Sequence, residues 1–78
     1  MTRLRGLLSI KRINVGSKSE KDALILHSGG QDYVVRRPGE HSFQATSLDY
    51  LSGHLVEVEG EIDQQYFYVT DWTVLDNE

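Results

Sequence analysis

Apolar and charged residues alternate along "TRLRGLLSIKRI", Thr2 to Ile13. Leu4, Gly6, Leu8 and Ile10 fall on one parity, and Arg3, Arg5, Ser9 and Lys11 fall on the other. A period of two predicts a strand with one face toward a core and, here, a basic face toward solvent. Gly6 on the inward parity signals a bend or a close backbone approach. The same alternation recurs in "HLVEVEGEID", with Val56, Val58, Gly60 and Ile62 opposite Glu57, Glu59, Glu61 and Asp63. "ALILHS" and "YVVRR" read as the two strands of a hairpin. Gly29-Gly30 between them supplies the positive φ that a tight turn requires. "YFYVTDWTVL" is rich in aromatic and β-branched residues and reads as a further strand.

The segments between these strands are equally informative. Asn14 to Asp22 is polar and contains glycine, as a loop does. Pro38, the only proline, lacks a backbone donor and keeps the preceding residue extended, so the third strand ends at Arg37 and Pro38-Gly39 turns. "TSLDYLSG" predicts a short helix. Thr46 or Ser47 would cap it, Leu48 and Leu51 lie three apart, and Gly53 would end it. Barely two turns long, it depends on packing.

Three strands, a short helix and two strands make one domain over residues 1–78, with no internal repeat. With Gly6 inside the first strand, a long polar loop after it, "TSLDYL" in the helix slot and "LVEVEGEI" with "YFYVTDW" closing the chain, the order resembles the oligonucleotide/oligosaccharide-binding (OB) fold superfamily. The resemblance covers nearly the whole chain and is one of element order, without a family-specific motif. It implies an all-β fold, a small five-stranded OB-like barrel with one short helix between strands 3 and 4. An SH3-like barrel is the competing architecture, and it usually lacks a helix at this position. The resemblance also implies that the first strand pairs with the fourth. Ligands would cross the second and third strands, flanked by the first loop and the loop between the last two strands.

Charge sharpens this picture. The net charge of −4 divides unevenly: residues 1–39 hold eight basic and three acidic residues (8 − 3 = +5), whereas residues 40–78 hold nine acids and no Lys or Arg (0 − 9 = −9). Pairing of the first and fourth strands would bring Arg3, Arg5 and Lys11 near Glu57, Glu59 and Glu61, so much of the asymmetry would be neutralised internally. Lys18, Lys21, Arg36 and Arg37 remain, in or near the region where the resemblance puts a ligand. Tyr33 shares a parity with Val35 and is expected to face the core, leaving Asp32, Val34 and Arg36 outside. Tyr66 and Tyr68 are the candidate exposed aromatics, since consecutive strand residues point to both faces. "ALIL" is apolar on both parities. Ile25 with Val34 therefore either forms an exposed docking patch or lies under the chain's own loops.

The absence of cysteine excludes disulfides and thiolate metal sites. The apolar runs are too short for a membrane span, and the N-terminus does not resemble a secretory signal, so a cytoplasmic protein is expected. No nucleophile-elbow motif appears, and His27, His41 and His54, thirteen or more residues apart, fit no metal-ligand spacing. "HSGGQD" is too short for a phosphate cradle. The expectation is a binding module rather than an enzyme, without cofactor or metal, whose partner is another protein or a second copy. Its candidate contacts are Lys18, Lys21, Ile25, Val34, Arg36, Arg37, Tyr66 and Tyr68. The alternative is single-stranded nucleic acid on the strand 2–3 face and first loop.

Overall fold

The computed structural model describes residues 1–18, 20–39 and 48–76. Five strands form: β1 (Thr2–Ile13), β2 (Lys21–Ser28), β3 (Gln31–Arg36), β4 (Leu55–Asp63) and β5 (Tyr66–Val74). They close in a ring in the order β1-β2-β3-β5-β4, with β4 returning to β1. Neighbouring strands are antiparallel except for β3 and β5, which run parallel over three residue pairs.

Ring closure rests on β1 serving two partners. Its first half, Thr2 to Leu7, pairs with β4, and Leu7 to Ile13 pairs with β2, so Leu7 belongs to both ladders. Gly6 lies at the changeover. A Cβ there would overlap the carbonyl oxygen of His27, so only glycine lets β1 and β2 approach this closely. Gly60 repeats the device on β4, where a Cβ would overlap the carbonyl of Tyr68. Beside it the β4–β5 register slips from Glu59↔Asp71 to Gly60↔Val69, leaving Thr70 as an extra residue. The bulge resets the alternation of β5: Phe67 and Val69 are buried before it, and Trp72 and Val74 pack on the core after it.

Inside the ring, Leu8, Leu26, Val35, Val56, Phe67 and Val69 are almost wholly removed from solvent, and Tyr33 meets Phe67 edge-on with centroids 6.2 Å apart. Each such apolar side chain contributes on the order of 1.5–3 kcal/mol through burial. Leu48 and Leu51 plug the core from the segment between β3 and β4. That segment departs from the expected helix. Asp49–Leu51 is a single 3-10 turn, with Leu51 N–H donating to the Leu48 carbonyl at 2.9 Å. One turn suffices to seat two leucines three positions apart, so nothing in the packing calls for more. The expected caps, Thr46 and Ser47, lie outside the described residues. Among the described residues, no helix is long and apolar enough to cross a membrane.

Two further expectations are corrected by the register. Lys11 does not face the acids of β4, because β1 has already turned to β2 by that point and pairs Lys11 with Ala23. Ile10 and Ile62, on inward parities, sit near strand ends and are 46 % and 40 % exposed.

The close approach at Gly6 makes a direct prediction. Gly6→Ala should lower stability by about 1–3 kcal/mol through overpacking against backbone, read as a lower urea midpoint. An unchanged midpoint would show that β1 and β2 can separate there without cost.

Candidate binding face

Because strand residues alternate, the outer surface of the ring has its own composition. On β2, β3 and β5 it is apolar at the centre. Ile25 pairs with Val34 and Val34 with Tyr66, while Arg36 pairs with Tyr68 in the next outward row. Ala23, Ile25 and Val34 form a second apolar cluster, separate from the interior one, with Ile13 and Tyr66 packed against it. Tyr66 and Tyr68 project from the same side of β5 and stack, with centroids 6.1 Å apart and planes 27° from parallel. Across the β4 ladder, Asp63 stands opposite Tyr66 and Glu61 opposite Tyr68.

The structure thus brings Ile25, Val34, Arg36, Tyr66 and Tyr68 together on one face. Lys21 enters the same strand two residues before Ala23, and Lys18 is exposed on the preceding loop. Arg37 leaves the group. Successive residues point opposite ways, and its guanidinium lies over the ring of Trp72 at 4.9 Å from the centroid. The two arginines therefore do different things. Nor do Ile25 and Val34 make a bare patch: they are only 5 % and 8 % exposed, with Ile13 and Tyr66 packed against them. Arg36 is likewise 9 % exposed, leaving the half-buried tyrosines as the accessible part of this face.

Electrostatics around the face are mixed. At the β1–β4 seam Arg3 pairs with Glu59 at 3.1 Å and Arg5 with Glu57 at 2.7 Å. Arg12 reaches Glu20 at 2.8 Å and Asp22 at 3.4 Å, and Lys11 lies 3.8 Å from Asp32. Among the described residues, Arg3, Arg5, Lys11 and Arg12, the cations of β1, all face carboxylates and so form no unpaired stripe. The hydrogen bond from Arg5 holds the Glu57 carboxyl below its ordinary range. Glu20 is lowered by the Gly16 backbone N–H and then by Arg12. Asp76 is lowered first by the Leu55 N–H and then by His54, a clasp between the chain's last strand and the start of β4.

Sequence reasoning missed Ser9, His27 and Asp32 as a group. All three lie on outer positions, but only the β1–β2 and β2–β3 registers bring their side chains together. His41 lies outside the described residues, and among those described no cluster of three metal-ligating side chains occurs. A scan against protein-family models and searches of curated proteins and of solved structures gave no match to this chain.

The lowered carboxyls set a pH dependence. Glu57 binds its proton less readily in the folded chain than in the unfolded one. Its contribution is therefore complete above the ordinary value of 4.5 and disappears as pH falls through the lower folded value. Urea midpoints measured between about pH 6 and pH 3 should fall for the natural chain and fall less for Glu57→Gln. Superimposable acid limbs would mean that the Arg5 contact is not coupled to folding.

Proposed function

We propose that this chain is a small OB-like barrel acting as a binding module, and that the outer β2–β3–β5 face docks against another protein or a second copy. The OB-like reading is supported by the ring order and by the way β4 closes on β1, which is the Greek-key closure that the superfamily uses. It is also supported by the position of β5 alongside β3.

The observation that carries the docking reading is the stacked Tyr66–Tyr68 pair beside Arg36, over an apolar floor outside a core that is already complete. Tyrosine is enriched in the centres of protein interfaces, where a rigid ring is desolvated at little entropic cost. Asp63 and Glu61 supply a polar rim along one side.

Single-stranded nucleic acid is the second reading, favoured by the same tyrosines as a stacking platform with Lys21 and Lys18 nearby. The carboxylates opposite both rings count against it, as does the engagement of Arg3, Arg5, Lys11 and Arg12 in ion pairs. Phosphates would have to displace those contacts, so the affinity would be low and easily lost with salt.

A photo-crosslinking residue at Tyr68, with Thr73 as the control position on the same strand, separates these readings in cells. Docking predicts a discrete protein adduct from position 68 and none from position 73, with sedimentation against concentration showing whether the adduct is a second copy. Absence of any adduct, together with salt-sensitive fluorescence polarisation of a labelled single-stranded oligonucleotide, would replace the protein reading with the nucleic-acid one.

A further inference from the structure

Bordering the apolar floor of the tyrosine face at Ile25, β1, β2 and β3 present Ser9, His27 and Asp32 side by side on the outer surface. The Gly29-Gly30 hairpin sets Asp32 opposite His27, and the β1–β2 register puts Leu7 opposite His27 with Ser9 one outward position further on. Ser9 Oγ lies 2.8 Å from His27 Nε2, and His27 Nδ1 lies 2.6 Å from Asp32 Oδ1.

These two contacts define where the protons are. A carboxylate can only accept, so Nδ1 carries hydrogen and donates it to Asp32. In the neutral imidazole Nε2 then keeps its lone pair, and the Ser9 hydroxyl donates to it. A serine in contact with a base whose tautomer and ring orientation are held by a third group is the arrangement that activates a hydroxyl nucleophile. The imidazole is 29 % exposed, so the ring is held against the sheet while its neighbours stay within reach of solvent.

The surroundings indicate what such a nucleophile would meet. Lys11 follows Ser9 by two positions on the same face, and its ammonium reaches to 3.8 Å from the second Asp32 oxygen. That ammonium sits against the carboxylate that orients His27 and offsets part of its charge. On the other side of Ser9 is Leu7, which pairs with Leu55. The Leu75 N–H donates to the Leu55 carbonyl, bringing Leu75 abreast of the same row. The three leucines are 45 %, 42 % and 41 % exposed and make an aliphatic strip across β1, β4 and the end of β5.

We propose that Ser9 is a nucleophile that accepts an acyl group from activated esters of aliphatic carboxylic acids, with the chain of the acid lying on the Leu7–Leu55–Leu75 strip. Ser9 Oγ bonds to the carbonyl carbon while its proton passes to His27 Nε2. The bond from that carbon to the leaving oxygen then breaks, and the leaving oxygen takes the proton from His27. The products are an ester on Ser9 and a free alcohol, with no change of oxidation state. Hydrolysis by water, through the same imidazole, would return the free serine.

The test uses the full chain with p-nitrophenyl octanoate, following p-nitrophenol release and locating the adduct by peptide mass mapping. One octanoyl group per chain on Ser9 is expected, absent from Ser9→Ala. General-base assistance typically contributes ~10²–10⁴-fold, so His27→Gln should slow acylation at least about tenfold. Asp32→Asn, which frees the tautomer, should slow it as well. Leu7→Ser should slow the octanoate reaction by a larger factor than the p-nitrophenyl acetate reaction. Octanoylation confined to lysines or tyrosines, or Ser9 labelling at the same rate in His27→Gln, would overturn the proposal. Should that variant fail to fold, the natural chain decides: a Ser9 rate that does not vary between about pH 5 and 9 excludes imidazole as the base.

Discussion

At Gly6 the backbone of β1 runs so close to β2 that a methyl group would overlap the carbonyl of His27, and the closure of the ring follows from that contact. A strand with a side chain at this point could not be drawn against β2 while its preceding half lies along β4. Once β1 is shared, β4 has a fixed neighbour, β5 follows it by an antiparallel return, and the free edge of β5 meets β3. The interior can then be filled from every strand, with Leu8, Leu26, Val35, Val56 and Phe67 converging.

The same pivot sorts the charges. Arg3 and Arg5 precede it and meet Glu59 and Glu57, whereas Lys11 and Arg12 follow it and find Asp32, Glu20 and Asp22 instead. Exposed pairs of this kind contribute little to stability individually. Their consequence here concerns binding, because cations already facing carboxylates are poor anchors for an external polyanion. What the outer surface offers is local: a tyrosine stack over an apolar floor, and, next to that floor, a hydrogen-bonded serine and histidine beside exposed leucines.

Much of this could be read from the residues before any coordinates. Alternation in β1 and β4 gave the faces of their central residues, and Gly29-Gly30 gave the hairpin. The pairing of the first strand with the fourth, implied by the resemblance and not by the alternation, set Arg3 and Arg5 near the acids of β4, where the Arg3–Glu59 and Arg5–Glu57 contacts form. Three things escaped. "TSLDYLSG" carries helix-like spacing, but two leucines three apart are equally well seated by one 3-10 turn, and packing rather than propensity decides between them. The Thr70 bulge leaves no mark in the alternation, because Val69 and Trp72 are both apolar on either register. The Ser9–His27–Asp32 contacts depend on a register set across a polar loop, which local pattern does not specify. For the same reason Arg36 and Arg37 look like one feature in the chain and serve two in space.

The seam that completes the ring joins residues 52 and 56 positions apart in the chain. During synthesis β1 emerges before the other strands and must wait, half-paired, until β4 has been made. Its leucines and those of β2 are meanwhile open to chance encounters. Such long-range closure is slow compared with the forming of a hairpin. A ribosome that stalls before β4 is made would release a β-rich fragment with no means of burying its edges.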